Sequence, residues 1–258
     1  GPPQVRSLAA QFNQMAGRLA ELVDAEARFV ADASHQLRSP LTALRLRLEN
    51  LEAGSGGAAG DGLAAAGREV QRLSRVVDGL LTLSRTGGAE PDQAPVDVQA
   101  VIDERCDAWS ALAEERGVEL AVVGERRPIE TWLVPGDLDQ ILDNLLANAL
   151  DASSQGGRIR VEIADMDTGH FVVHVVDEGP GMTAEERERA FDRFWQAAPS
   201  DLNGGHSGLG LAIVAQIADR NRASVELRQG QPTGIDAVIR LPVSTRATRT
   251  RQAQREGL

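Results

Sequence analysis

Apolar positions divide the chain into two regimes. In the first, Leu8, Phe12, Met15, Leu19 and Leu22, then Val30, Ala33, Leu37, Leu41, Leu44, Leu48 and Leu51, then Leu63, Ala66, Val70, Leu73, Val77 and Leu80 recur three and four apart. That spacing predicts helices that each bury one stripe against partner helices. The glycine-rich run 54–62 cannot hold a helix, so it predicts a turn between two arms of an antiparallel hairpin. A lone hairpin leaves both stripes wet, and two hairpins close a four-helix bundle, which makes a homodimer the expected assembly. A continuous helix over 5–53 would be about 75 Å long and would need a partner along its seam.

The second regime begins at residue 96, where heptads give way to alternating helix-like and strand-like segments. A helix is expected over 98–113, and strands over 118–123, 129–134, 158–165, 171–176, 225–228 and 235–241. Helices between several of these strands predict a mixed sheet covered by helices on one face. Thr183 and Glu186 form a capping box for a helix ending near Phe191, Phe194 and Trp195, with the two phenylalanines expected in the core. The chain therefore divides into a leading helix (1–22), a helical hairpin (23–86), a polar linker (87–95), an α/β domain (96–244) and a basic tail expected to be disordered (245–258).

Composition narrows the chemistry. The formal net charge of -11 argues against a nucleic-acid partner. The basic side chains are all arginine, which excludes a Walker-type GK[ST] loop and the strand lysine of eukaryotic-type protein kinases. Cys106, the single cysteine, can form no disulfide within the chain and reads as a small buried hydrophobe. No apolar run approaches the roughly 18 residues that span a bilayer. Gly1-Pro2 looks like the scar of tag removal, so the natural protein is expected to begin further upstream.

Candidate chemistry lies in four places. His35 falls on the solvated side of its helix, with Ser39 one turn on and Pro40 removing a backbone donor just beyond, so an exposed imidazole stands beside a bend. Asp32, three residues before it, is either a solvated charge or a carboxylate placed to hold a ring N–H and to act as a base, whereas the amide of Gln36 cannot be that base. On 139–153, Asn144, Asn148 and Asp151 share the face opposite Ile141, Leu142, Leu145, Leu146 and Ala149; amide oxygens suit a hard cation such as Mg²⁺. Asp177 offers an acceptor at a strand end beside Gly179 and Gly181, and Gly208, Leu209 and Gly210 open a helix whose N-terminus attracts phosphate.

The string SHQLRSPLT over 34–42 resembles the phosphoacceptor box of sensor histidine kinases. NLLANALDA, DEGPGM, RAFDRFW and SGLGLAIV, in that order, resemble the N, G1, F and G2 boxes of the ATP-binding domain of those kinases, a relative of the Hsp90, gyrase and mismatch-repair ATPases. Residues 6–35 are similar to the last helix of a HAMP relay running into the dimerisation helix. The resemblance implies an all-α dimeric four-helix-bundle hairpin followed by an α/β two-layer sandwich of the Bergerat (GHKL) type, with ATP and Mg²⁺ as cofactors. It implies that His35 accepts the phosphoryl group, Asn148 holds Mg²⁺, Asn144 lies near the phosphates and Asp177 accepts from the adenine amine. Asp151, Gly179, Gly181, Gly208, Leu209 and Gly210 complete the nucleotide positions, and Ser39 is the residue placed to position water for a phosphatase reaction. The implied partner is the receiver domain of a response regulator. Membrane attachment is implied only through upstream segments, on the cytoplasmic side of a bacterial plasma membrane. The chain departs from the pattern at Gln36, Ser39, Asp151 and His206. Two other readings remain: a GHKL-type conformational ATPase, which gives no reason for the His35 box, and an ATP-binding pseudokinase, favoured by Gln36, Asp151 and His206.

Overall fold

The computed structural model describes residues 92–124, 126, 128–167, 169–197 and 208–243, with 37, 41, 42, 44, 70 and 77 besides. The chain divides into two compact units, Gly1–Leu81 and Thr82–Leu258. In the first, Leu37, Leu41, Thr42, Leu44, Val70 and Val77 are helical, as the heptad pattern predicts. The expected elements at 1–22, 245–258 and most of 23–86 lie outside the described residues.

The second unit runs β1 (Ala94–Asp97), α1 (Val98–Glu115), β2 (Glu119–Val123), β3 (Glu130–Leu133), α2 (Asp137–Ala152), β4 (Arg158–Asp167), β5 (His170–Asp177), α3 (Ala184–Arg189), α4 (Gly210–Arg220), β6 (Ser224–Gln229) and β7 (Ile235–Pro242). Five strands form a sheet in the order β2-β4-β5-β7-β6, and β1 pairs with β3 in a small separate sheet. Only β2 and β4 run parallel; the other pairs in the large sheet are antiparallel. The expected mixed sheet is thus present.

Strand alternation sets which face meets the helices. Ile159, Val161, Val173, Val175, Ala237, Ile239 and Leu241 are buried and stand in register on one side. The helical layer meets them with Ile102 of α1, Ile141, Leu142, Leu145 and Leu146 of α2, and Ile213 and Ile217 of α4. This is a two-layer α/β sandwich. Cys106 is part of that core, and burial pushes its thiol pKa up to about 11, as suits a packing residue rather than a nucleophile. The opposite sheet face carries Arg160, Glu162, His174, Asp236, Glu226 and Arg240, several of them paired with one another.

Local chemistry sets the element ends. Asp97 caps α1 by accepting from the N–H groups of Gln99 (3.0 Å) and Ala100 (3.3 Å). Thr183 and Glu186 form both bonds of the expected capping box. The helix they open is nevertheless shorter than expected. It ends at Arg189, and Phe194, with φ of 63°, cannot continue it. Phe191 and Phe194 are only half-buried, so their helical spacing was not a core stripe. A second correction concerns the linker: Ala94 and Pro95 belong to β1, which crosses to pair with β3.

Asp137, Arg220 and Asn221 join the start of α2 to the end of α4. Asp137 is buried; the Arg220 guanidinium donates to it through Nε at 2.6 Å and through Nη2, and Asn221 donates through Nδ2 at 2.6 Å. Asn221 also donates to the Ile217 carbonyl at 2.8 Å and accepts from the Val134 N–H at 2.9 Å. Each partner left buried and unsatisfied costs about 1–3 kcal/mol. Asn221→Ala is therefore expected to destabilise the α/β unit by about 3 kcal/mol, measurable as a lowered urea midpoint at unchanged slope.

Candidate functional site

On α2 the apolar stripe decides where the polar face points. With Ile141, Leu142, Leu145, Leu146 and Ala149 buried, Asn144 and Asn148 are left half-exposed and Asp151 exposed on the far side. Asn144 donates through Nδ2 to the Gln140 carbonyl, one turn back, at 2.7 Å. Its oxygen is thereby turned away from its own helix. A Cβ placed on Gly210, the first residue of α4, would lie 3.1 Å from Asn144 Oδ1 and 3.6 Å from both Asn148 amide atoms. The structure thus brings two amides and a helix start together. The N-cap of α4, Leu209, is apolar and makes no side-chain cap bond to the first turn.

Asp177, at the end of β5, forms a second cluster. Its Oδ1 accepts from the Gly179 N–H at 2.8 Å and from the Ile235 N–H at 3.2 Å. Burial raises the carboxyl above its ordinary pKa, and the two backbone donors oppose that shift. Gly234 must be glycine: its φ is 91°, and a Cβ there would fall 2.0 Å from the Asp177 carbonyl oxygen. Gly179 lies against the end of α2, where a Cβ would stand 2.9 Å from the Ala152 carbonyl oxygen. The C-terminal turn of α2 therefore separates the amide pair from Asp177. Neither Gly234 nor Ile235 stood out in the sequence, although the turn signal PTG before β7 marks the place.

The remaining positions divide by role. Gly181 (φ 76°) faces the β6–β7 hairpin, 3.0 Å from Gln229 Nε2 in the same measure. Gly208 accepts at its carbonyl from the Phe194 N–H at 2.8 Å, closing the ends of the intervening segment. The Leu209 side chain is buried, so that residue can meet a ligand only through its main chain. Asp151 makes an ion pair with Arg116. The Arg189 guanidinium lies 5.9 Å from the Trp195 ring centroid. Asp32, His35, Gln36, Ser39 and His206 lie outside the described residues.

A concavity of about 410 Å³ opens on the opposite face of the sheet, beside Arg160, His174 and Asp236. Three of its titratable groups are engaged, His174 Nδ1 with Asp236 Oδ1 at 2.9 Å and Arg160 with Glu178 at 3.7 Å. It shares no residue with the two clusters.

Comparison with known proteins gives two family matches. Residues 25–88 match the His Kinase A (phospho-acceptor) domain, and residues 134–245 match the histidine kinase-, DNA gyrase B- and HSP90-like ATPase family. The signal transduction histidine-protein kinase/phosphatase MprB of Mycobacterium tuberculosis is 33% identical across 94% of this chain and 49% of its own length. The sensor protein kinase PmrB of Pseudomonas aeruginosa is 30% identical across 93% of this chain and 50% of its own. The chain spans about half the length of the curated relatives it matches. Among solved structures, a mycobacterial sensor histidine kinase MprB is 31% identical with a TM-score of 0.50, covering 58% of this chain and 97% of that one. Acinetobacter baumannii histidine kinase AdeS shares the fold, with a TM-score of 0.66 at 22% identity over 82% of this chain and 98% of its own. A phosphoacceptor domain followed by an ATPase domain, in a chain 31% identical to a solved sensor histidine kinase that it covers almost completely, makes it a member of the bacterial sensor histidine kinases.

Proposed function

We propose that the chain uses ATP to phosphorylate His35 and passes the phosphoryl group to an aspartate on the receiver domain of a response regulator. The observation that carries this reading is the order of the two family matches, one enclosing His35 and the other enclosing Asn144, Asn148, Asp177 and Gly210. The mycobacterial relative is a kinase/phosphatase by name, which supports a reverse reaction as well, with Ser39 placed to position water. A pure conformational ATPase would have no use for a phosphoacceptor domain.

The two clusters suit opposite ends of ATP. Asn144 presents its amide oxygen, and Asn148 its amide group, toward Gly210, a pair whose oxygens would suit a hard cation such as Mg²⁺. When bound, Mg²⁺ supplies charge neutralisation to the triphosphate. The first-turn N–H groups of α4 supply anion donors without any lysine. At the other end, Asp177 Oδ1 is committed to two backbone donors, which leaves Oδ2 to accept from the adenine amine. An imidazole with the ordinary pKa of about 6.5 is largely neutral at pH 7 and can attack the γ-phosphorus. The P–O bond to ADP breaks as the N–P bond forms, and Asp32 takes the proton from the other ring nitrogen.

Dimerisation follows from exposure. Leu41, Val70 and Val77, all stripe positions, are 51%, 48% and 39% exposed in the single chain. A second copy covers them in a four-helix bundle. The partner domain docks on that bundle beside His35, and upstream segments hold the core on the cytoplasmic side of the membrane.

Labelling with γ-phosphate-labelled ATP and Mg²⁺ tests the reading. The wild-type chain is expected to carry an acid-labile, base-stable phosphoryl group that is absent from His35→Gln; undiminished labelling of that variant would remove His35 as acceptor. Asn148→Ala is expected to weaken Mg²⁺-dependent ATP binding about tenfold or more in calorimetric titration. Asp177→Asn is expected to lose discrimination between ATP and GTP while its unfolding temperature at neutral pH stays level or rises. The sign follows from burial: a carboxyl with a raised folded-state pKa costs stability once pH climbs through that value, and the amide removes the cost. Below the ordinary carboxylate range the two forms should melt alike. In single-turnover labelling at saturating ATP, Asp32→Asn is expected to slow phosphorylation about 10²-fold and Gln36→Glu to quicken it. A wild-type rate for Asp32→Asn would make Asp32 a bystander.

A further inference from the structure

Asp151 is a carboxylate in an unfavourable place. It lies three residues beyond Asn148, on the same face of α2. The residue that follows it, Ala152, packs against Gly179, so Asp151 stands between the amide pair and the Asp177 cluster. It also sits in the last turn of α2, which holds no basic residue to offset the negative end of the helix. A negative side chain and a negative helix end would both repel a polyphosphate lying across this face.

The opposing charge comes from another helix. Arg116 is the C-cap of α1, its N–H tied to the Leu112 and Glu114 carbonyls, which fixes where its side chain departs. The Arg116 Nη1 donates to Asp151 Oδ1. Adjacent backbone strengthens the junction: the Gly156 N–H donates to the Gly117 carbonyl at 2.7 Å, holding the end of α1 against the loop that leaves α2. The backbone from which the Arg116 side chain extends is therefore positioned by the fold, and the bond to Asp151 holds its guanidinium.

We propose that Arg116 is a specificity-determining residue of the nucleotide site, acting through Asp151. Its guanidinium cancels the carboxylate and the α2 terminus, so the face between Asn148 and Asp177 accepts a polyanion. This rests on the ATP site described above. Affinity then depends on the pair rather than on either member. Removing the arginine exposes a negative charge to the ligand, removing both charges restores a neutral face, and the penalty grows with the number of phosphates.

Calorimetric titration of the full chain with ATP, ADP and adenosine, at fixed Mg²⁺ and low ionic strength, tests this. Arg116→Ala is expected to weaken ATP binding about tenfold, ADP less, and adenosine hardly at all, and the loss should shrink as salt is added. Arg116→Ala with Asp151→Asn should regain wild-type ATP affinity, and Asp151→Asn alone should bind ATP no worse than wild type. A merely structural role for the pair would weaken all three ligands alike and would not be rescued by the second substitution, and either result overturns the proposal. Wild-type protein that binds none of the three would remove the nucleotide site itself, and the role of Arg116 with it.

Discussion

The buried carboxylate of Asp137 constrains the rest of the α/β unit. An ion taken out of water costs several kcal/mol unless it is paired and its lone pairs are filled. Here Arg220 and Asn221, both from the end of α4, fill them, and Asn221 extends the network to the N–H that follows β3. Because the geometry of such a network has little slack, the start of α2 and the end of α4 are held in one relation. Two antiparallel helices fixed at one end have a defined approach at the other. That other end brings Gly210 against Asn144 and Asn148.

Asp177 involves the reverse compromise. Its burial raises the energy of the charged form, and two backbone donors recover only part of that. A core carboxylate kept at such cost is a poor choice for stability alone, and the proposed contact of its remaining oxygen with adenine would account for it. The glycine at 234 serves the same end, since it lets the β7 backbone come close enough for Ile235 to donate.

Much of this was legible in the chain. Alternation over 235–241 and 171–176 placed two central strands, and the split of 139–153 into an apolar and a polar side placed Asn144, Asn148 and Asp151 together. What escaped depends on distant partners. Strand β1 contains a proline and little apolar pattern, and forms because β3 is there to pair with it. Phe191 and Phe194 have helical spacing, but Phe194 turns the chain instead and bonds to Gly208. The Ile235 donor to Asp177 lies 58 residues away in sequence, and Arg116 lies 35 from Asp151. No local pattern encodes either pairing.

The exposure of Leu41, Val70 and Val77 separates the two units in one more respect. The α/β unit closes its core within a single chain, so its folding is insensitive to how many copies surround it. In the proposed dimer the helical unit owes part of its stability to mass action and weakens on dilution. Protein abundance then becomes an input in its own right. Where the chain is scarce, the α/β unit keeps its fold, while the helical unit is the part that comes undone.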